Sequence, residues 1–392
     1  MPSQQTILIL DANQRSALAV TRSLGKITNL NIICSDTTQS ALAGSSTYCK
    51  TYIPSPCPHK NPFQFMDWLL NNITKHNITC LFPVTEITSQ LILMNHHKLG
   101  NCLLPFANIE TIIRLADKAQ LTQLAETLGI PYPKTQHLEN IQQLTSIQTI
   151  QYPCVIKPNL SHIWQQTHWL STRVNIVQEP EDIKNLRSKP YLQNFPFMLQ
   201  EFIPGHGAGV FALYDHGKAI AFFTHERLRE KPPSGGVSVL SRSVEPDTTL
   251  INMSKKLLDS VKWHGVAMVE YRISENGTPY LMEVNTRFWG SLQLAIDSGV
   301  DFPKLLWDIT THKKTNKIEN YIINQRLRWL LGDLDGLYLY LRDNRYSRKE
   351  KLTRIIEFLT PHIKTRHEVN RLEDLGPAWF ELKNYIKHFF NR

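Results

Sequence analysis

A β-hairpin signal is the feature that most constrains what this chain can fold into. Two runs rich in β-branched and aromatic residues, VAMVEY and PYLMEVN, flank Asn276 and Gly277, and Asn-Gly is a strong signal for a two-residue hairpin loop. With that loop, Glu270 lies directly opposite Glu283. Because side chains alternate along a strand, Glu270, Glu283 and Asn285 then share one face of the hairpin.

The polar face of this hairpin predicts a divalent metal site. Like charges directly opposite each other destabilise a sheet unless something neutralises them. Carboxylate and amide oxygens are the ligands that Mg²⁺ prefers, with Mn²⁺ as the alternative cation. A pair of solvent-facing glutamates with nothing bound is the other interpretation, and Arg287, a cation suited to phosphate, favours the metal site. The opposite face is apolar and predicts core packing by Val269, Tyr271, Ile273, Tyr280, Met282 and Val284.

The N-terminal segment predicts a doubly wound α/β domain. TILILD, an apolar helix ending at Gly25 and LNIICSD form a strand–helix–strand pattern with Asp36 at its end. The turn DANQR lacks the glycine that close approach to a pyrophosphate requires, so an NAD site is not indicated. A helix starting at Asn61-Pro62 and the strand ITCLFPV complete the domain. It is therefore a scaffold or an acceptor-substrate domain.

Two lysines are candidate phosphate ligands. Lys118 lies in the first turn of a predicted helix from Asp117 to Gly129, where a cation opposes the helix dipole. A bound anion would resolve that conflict, and an exposed lysine is the alternative. Lys157 ends the apolar strand YPCVIKP, where its ammonium group is placed to meet phosphate.

Five short motifs in this order resemble those of the ATP-grasp superfamily. They are ADKAQL…LGIPYPKT, YPCVIKP, MLQEFIPG, the glutamate of VEY and the run E-x-N-x-R. The resemblance covers about residues 6 to 310 and is greatest to carboxylate-amine ligases that are similar to the large chain of carbamoyl-phosphate synthetase and to D-alanine:D-alanine ligase. It implies a mixed α/β and α+β architecture, with a doubly wound pre-ATP-grasp domain, two ATP-binding lobes and a helical C-terminal appendage.

The resemblance also implies roles for individual residues. Glu270, Glu283 and Asn285 would hold magnesium ions on the ATP phosphates, and Arg287 would face the transferring phosphoryl group. The implied nucleotide-binding residues are Lys118, Lys157, Glu201, Phe202, Ile203 and His206. Two departures stand out. His206 occupies a position where relatives carry an acid for the ribose hydroxyls, and residues 159–172 lack the glycines of the phosphate loop.

A basic arm precedes the metal hairpin. A hairpin predicted around His216-Gly217 leads into RLREKPPSGGVS. We expect this arm to close over ATP and an acidic substrate, with Lys231 joining Arg287 as a catalytic cation, and a solvated surface loop is the alternative. The residues assigned to the arm are Arg227, Arg229, Lys231, Ser234, Gly235 and Gly236.

The implied chemistry is ATP-dependent ligation. A carboxylate attacks the γ-phosphoryl group of ATP, and an amine then displaces phosphate from the acylphosphate. Two alternatives stay open: an ATP-grasp kinase for a small molecule, and a non-catalytic ATP-binding or scaffold protein. Small-molecule substrates are expected as partners. Nucleic acid is not, because the basic residues are not interleaved with aromatic stacking platforms.

Length and charge predict three regions. A chain of 392 residues exceeds one typical core, and we predict domains at 1–107, 108–310 and 311–392. No apolar run reaches the length of a membrane span, and the six cysteines lack C-x-x-C spacing, so a cytoplasmic protein with reduced thiols is expected.

The last region carries most of the net charge of +9 on amphipathic runs. It is interpreted as a cap on the core, an anionic membrane-surface contact or a homodimer interface. We expect a cap that buries Trp329, Leu330, Leu331, Leu334, Leu337 and Tyr338.

Overall fold

The N-terminal region is a parallel sheet covered by helices on both faces. The computed structural model describes residues 4–147, 150–233 and 235–390. Its first elements are β1 (Gln5–Ile9), α1 (Arg15–Leu24), β2 (Leu30–Asp36), β3 (Thr51–Pro54), α2 (Pro62–Lys75), β4 (Ile78–Phe82) and α3 (Glu86–Met94). The strands are parallel in the order β3-β2-β1-β4. This confirms the predicted strand–helix–strand unit and the helix start at Asn61-Pro62, whereas β3 was not predicted.

The carboxyl edge of this sheet faces the rest of the molecule. Asp11 follows β1, Asp36 ends β2, and Glu86 begins α3 directly after β4. The chain runs outward from β1 to β3 on one side and places β4 on the other, so the strand order reverses beside β1. Ligand crevices in open α/β sheets form at such reversal points.

A smaller antiparallel sheet follows. Two helices, α4 (Ile109–Ala116) and α5 (Lys118–Leu128), lead into it, and Asp117 caps α5 by accepting hydrogen bonds from two backbone amides. Gly129 ends α5 at a φ of 62°, as predicted. The sheet has the order β5-β10-β6-β9, beside a separate β7-β8 hairpin. The elements are β5 (Thr135–Leu138), β6 (Cys154–Pro158), β7 (His162–Trp164), β8 (Trp169–Ser171), β9 (Asn175–Val177), α6 (Pro180–Leu186), α7 (Pro190–Gln193) and β10 (Phe197–Glu201).

The largest sheet carries the predicted metal hairpin. Its order is β15-β14-β11-β12-β13-β16-β17. His216 and Gly217 both have positive φ, so the two-residue turn predicted between β11 and β12 is confirmed. The elements up to the C-terminal region are β11 (Gly205–Asp215), β12 (Lys218–Lys231), β13 (Val237–Ser243), α8 (Thr248–Ser260), β14 (Gly265–Ser274), β15 (Pro279–Asn285), α9 (Leu292–Asp297) and α10 (Phe302–Thr310).

The β14–β15 hairpin differs from the sequence prediction at its loop. The Ser274 amide donates to the Thr278 carbonyl at 3.0 Å, so three residues form the loop instead of two. That change alone would shift every pair by one residue. A bulge between the pairs Tyr271–Leu281 and Glu270–Glu283 restores the register, and Glu270 lies opposite Glu283 as predicted.

The bulge also changes which side chains reach the core. Leu281 is buried there with Val284, whereas Tyr280 and Met282 are only half-buried. The prediction that Tyr280 and Met282 pack in the core is therefore wrong. The reason is physical: between the loop and the bulge the alternation is offset by one position, which turns Leu281 inward.

The C-terminal region contributes strands as well as helices. Its elements are β16 (Arg326–Arg328), α11 (Leu330–Arg342), α12 (Arg348–Leu359), β17 (Thr365–His367) and α13 (Gly376–Phe390). The predicted helices are present, but β16 and β17 extend the large sheet and were not predicted. Every helix among the described residues is too short or too polar to cross a bilayer.

Buried acids tie this region to the rest of the chain. Asp333 is fully buried and forms ion pairs with Arg229, Arg328 and Arg354. Asp374, also fully buried, accepts from Nε of Arg22 in α1 at 2.8 Å.

Apolar burial in α11 is smaller than the sequence predicts. Leu337 is buried, but Leu334 and Tyr338 are 38% and 53% exposed. The prediction that these two residues are buried is wrong, because ion pairs through Asp333 and Asp335 fix which face of the helix lies against β12. Membrane contact and dimer formation stay predictions.

Candidate active site

Two half-buried glutamates and an asparagine form the centre of the site. Glu270 on β14 and Glu283 on β15 face each other across the hairpin. The Asn285 side-chain amide donates to Oε1 of Glu270 at 2.9 Å and to Oε1 of Glu283 at 3.2 Å. The hairpin therefore brings together three oxygen-bearing side chains from two adjacent strands.

The two carboxyl groups have different electrostatic environments. Burial and the charge of Glu283 raise the pKa of Glu270, although Arg227 donates to it at 3.1 Å. For Glu283, burial again opposes ionisation, but the charges of Lys118 and Lys157 outweigh it and hold the pKa below its usual value. The pair is thus polarised, with the negative charge favoured on Glu283.

Both candidate phosphate lysines lie close to this pair. Lys118 and Lys157 are 4% and 5% exposed, so Lys118 is not the exposed lysine of the alternative interpretation. The ammonium group of Lys118 donates to the Ser161 hydroxyl at 3.3 Å, and that of Lys157 donates to the Met282 carbonyl at 3.1 Å. The bulge at Met282 therefore supplies a partner for Lys157 on the strand that carries Glu283.

The donor set fits a hard divalent cation. Two carboxylates that repel each other and one amide oxygen, all half-buried beside a cavity, are the ligand chemistry of Mg²⁺. The Asn285 carbonyl oxygen accepts from Nη2 of Arg287 at 3.3 Å. Rotation of this amide would turn its oxygen toward the carboxylates and its nitrogen toward Arg287.

The basic arm is paired with acids along most of its length. Arg229 and Lys231 lie on β12 and form ion pairs with Asp333 and Asp335 of α11. Only Arg227 reaches the glutamate pair, and Gly236 lines the cavity beside it. Gly235 has a φ of 122°, while Ser234 lies outside the described residues. The catalytic role of Lys231 stays a prediction, and the structure does not place this residue at the glutamates.

Three of the implied nucleotide-binding residues, Glu201, Phe202 and Ile203, lie at the end of β10. Glu201 pairs with Lys134 through its backbone amide at 2.9 Å, and Phe202 and Ile203 follow. The Ile203 carbonyl accepts from Nε of Arg272 at 3.1 Å. His206 is exposed on β11, opposite Ile273 of β14.

The glycine-free segment forms the β7–β8 hairpin and is anchored by aromatic packing. Trp164 and Trp169 lie 5.0 Å apart, and Trp169 is buried against the N-terminal domain. His162 approaches Glu86, with Nδ1 3.7 Å from Oε2. Burial opposes ionisation of Glu86, but His162 and Lys118 outweigh it and lower its pKa.

Sequence reasoning missed several residues that line the site. A cavity of about 400 Å³ beside the glutamates is also lined by Gln14, Arg15, His225 and Ser291. Burial lowers the pKa of His225 to about 3, so it is neutral. Arg15 is the last residue of the DANQR segment and the first residue of α1. No local pattern marks it, because its role depends on the packing of two distant regions.

A central segment of this chain matches a described protein family. Residues 193–332 match the family described as "ATP-grasp in the biosynthetic pathway with Ter operon". This segment contains strands β11 to β16 of the large sheet, including the β14–β15 hairpin. This match confirms the predicted resemblance to the ATP-grasp superfamily. Its N-terminal parallel sheet, two antiparallel sheets and C-terminal helices form the ATP-grasp fold that was predicted.

Two curated proteins are distantly similar to this ATP-grasp chain. The carbamoyl phosphate synthase large chain of Pyrococcus furiosus is 25% identical over 209 residues, which cover 50% of this chain and 18% of that protein. Formate-dependent phosphoribosylglycinamide formyltransferase of Wolinella succinogenes is 27% identical over 155 residues, which cover 39% of each chain. This chain therefore matches well under half the length of either relative.

Solved structures share the fold over most of this chain. L-amino acid ligase from Bacillus licheniformis has a TM-score of 0.61 at 15% identity, covering 81% of this chain and 76% of its own. A second structure is the biotin carboxylase domain dimer of 2-oxoglutarate carboxylase from Hydrogenobacter thermophilus, solved with MgADP and bicarbonate. It has a TM-score of 0.64 at 13% identity, covering 83% of this chain and 74% of its own.

A substitution at His206 tests the predicted nucleotide position. We expect His206→Glu to tighten ATP binding by about tenfold, because a carboxylate accepts both ribose hydroxyls in charge-assisted bonds worth about 1.5–3 kcal/mol. Calorimetry with ATP and Mg²⁺ measures the change. His216→Glu, in an exposed turn on the same strand pair, serves as the control. Unchanged or weaker affinity in His206→Glu would show that this side chain does not meet the ribose.

Proposed function

We propose that this protein is an ATP-dependent ligase that joins a carboxylate to an amine through an acylphosphate. The observation that carries the proposal is the half-buried Glu270–Glu283–Asn285 group, which opens to a polar cavity and is flanked by the buried Lys118 and Lys157. Magnesium held by these three residues would neutralise charge on the ATP phosphates. The other residues would bind and orient the reactants.

The phosphates would be positioned by the cations around Glu283. Lys118 and Lys157 are buried and fixed by hydrogen bonds, so they present their charges with little conformational freedom left to lose. Arg287 lines the main cavity. It also lines a much smaller pocket together with Lys118 and Glu86. We assign Arg287 to the transferring phosphoryl group, since charge dispersed over its oxygens is what a fixed guanidinium stabilises.

Two arginines that line the main cavity are candidate partners for the acceptor carboxylate. Arg227 donates to Glu270 and to Glu230, each at 3.1 Å, and lines the main cavity together with Arg15. A carboxylate bound there would be held near the γ-phosphoryl group, and positioning of this kind provides most of the catalysis in phosphoryl transfer. The substrates of the relatives do not define those of this chain.

A trapping assay tests the proposed function. The purified chain is incubated with ATP, Mg²⁺ and a panel of carboxylates, and hydroxylamine is added in place of the amine. We expect carboxylate-dependent release of ADP and phosphate together with a hydroxamate, read by mass, since hydroxylamine captures acylphosphates. A phosphorylated product that is stable to hydroxylamine would instead indicate a kinase. ATP binding without turnover across a broad panel would indicate a non-catalytic protein.

A further inference from the structure

Three cavities meet at one residue of the N-terminal domain. The main cavity beside the glutamates shares Gln14, Arg15 and Val237 with a second cavity of about 430 Å³. It shares Gln14, Arg287 and Gly290 with a third of about 420 Å³. Gln14 lines all three, so the reaction centre has two side clefts that open in different directions.

The second cavity, which we name the apolar cleft, lies between the N-terminal domain and the C-terminal helices. Its apolar walls come from four different parts of the chain and consist of Leu42, Val237, Trp329, Leu331 and Phe380. Val237 is 52% exposed and lines both this cleft and the main cavity. Apolar walls with a few convergent polar groups are typical of small-molecule sites.

Arg15 stands where the apolar cleft joins the main cavity. Its guanidinium lies 4.0 Å from the centre of the Trp329 ring, and its Nη1 donates to Glu368. An added Cβ at Gly290 would lie 3.1 Å from Nη2, so this edge of the guanidinium passes directly over the loop that follows Arg287. A group that moves from the cleft toward the glutamates must therefore pass a cation.

The third cavity is the more acidic of the two side clefts. It lies at the carboxyl edge of the parallel sheet and is lined by Asp11, Asp36 and Glu86, with Arg287 at its inner end. Three carboxyl groups against one guanidinium disfavour a carboxylate in this cavity.

The apolar cleft is also lined by Asp335 and Glu381, but Asp335 pairs with Lys231 and Glu381 accepts from Nε1 of Trp329 at 2.6 Å. Of the two side clefts, the one entered past Arg15 is the better route for an anion.

We propose that the apolar cleft holds the body of the acceptor carboxylate, an aromatic or branched aliphatic group, with its carboxylate directed past Arg15 to Arg227 and Arg287. The inference rests on the proposed ligase function. A carboxylate oxygen bonds to the γ-phosphorus as the bond to ADP breaks. The amine nitrogen then bonds to the acyl carbon as phosphate leaves. From an ammonium substrate, one proton goes to phosphate and one to solvent.

Binding of simple carboxylates tests the assignment on the full chain. The probes are 3-phenylpropionate, 4-methylpentanoate and acetate, measured by calorimetry with ADP and Mg²⁺ present. We expect the two apolar probes to bind at least tenfold more tightly than acetate, since each buried methylene contributes about 0.8 kcal/mol. Leu331→Asn should remove most of that difference, because it places an amide against the body of the ligand.

Leu334→Asn is the matched control, since it lies on the same helix and is exposed outside the cleft. It should change probe affinity by less than twofold. Thermal unfolding checks each variant, and Val237→Asn, at a more exposed position, replaces Leu331→Asn if that variant does not fold. Equal affinity of all three probes, or equal effects of the Leu331 and Leu334 substitutions, would overturn the proposal. Leu331-dependent binding of phenethylamine instead of 3-phenylpropionate would also overturn it.

The trapping assay separates this proposal from the ligase function. Hydroxamate formed from 3-phenylpropionate in preference to acetate, and lost in Leu331→Asn, supports both. Leu331-dependent binding of the apolar probes without any hydroxamate supports the cleft and rejects the acylphosphate chemistry. Hydroxamate formed equally well from acetate and 3-phenylpropionate keeps the ligase function and rejects the cleft.

Discussion

Glu283→Gln is expected to abolish magnesium-dependent ATP turnover, with a loss of at least about 10²–10³-fold, the scale of removing one preorganised electrostatic contact. Glu283 is the carboxyl group that Lys118 and Lys157 keep ionised. Its charge therefore balances two buried cations, and it would complete the proposed metal ligand set. Steady-state ADP release at varied Mg²⁺ measures the effect, and raising Mg²⁺ should not restore the rate.

The control for this substitution is Glu275→Gln, in the exposed loop of the same hairpin, which should keep full activity. Folding needs a separate check, because Glu283→Gln also leaves two buried lysines without their partner. Circular dichroism and thermal unfolding provide it. Glu270, whose pKa is raised, is the member of the pair whose neutralisation should relieve repulsion in the metal-free protein. Normal turnover in a folded Glu283→Gln variant would refute the metal-site assignment.

Asp333→Asn is expected to be the most destabilising polar substitution in the C-terminal region. Asp333 is fully buried between Arg229, Arg328 and Arg354, and removing the shared carboxylate leaves three clustered guanidiniums without compensation. Breaking a buried ion pair from one side typically costs about 3–5 kcal/mol. At about 2 °C per kcal/mol for a large chain, Tm should fall by about 6–10 °C.

Asp335→Asn is the matched control on the same helix. Its ion pair with Lys231 is about one-third exposed on both sides, so solvent screening should limit the cost to about 1 kcal/mol or less. Differential scanning fluorimetry with both variants makes the comparison. Equal Tm values for Asp333→Asn and wild type would show that the ion-pair cluster does not stabilise the fold.

The same contacts predict the result of truncation. Deleting residues 311–392 removes the partners of Arg22 and Arg229 and two strands of the large sheet. We therefore expect an insoluble product, as a cap integral to the core would give. A soluble and active truncated chain would favour the peripheral interpretation of this region.

The sequence determined the local elements and the pairing at the centre of the site. Alternation and the Asn-Gly signal placed Glu270 opposite Glu283, and the caps at Asp117 and Gly129 bounded α5. These features depend on neighbouring residues or on one short loop, so a single sequence contains them. The loop length was wrong, yet the pairing was right, because the bulge at Met282 cancelled the error. Nothing in the local sequence marks that bulge.

Only the tertiary structure decided what surrounds the metal hairpin. Arg15, the first residue of α1, lines the cavity and lies over the ring of Trp329 in the C-terminal region. Asp333 accepts a hydrogen bond from Arg229, 104 residues away in the chain. For the same reason, Arg229 and Lys231 of the predicted basic arm form ion pairs with acids of α11. Charge partners and cavity walls are set by contacts between distant segments, whose free energies depend on burial and geometry. Composition and periodicity carry no information about either.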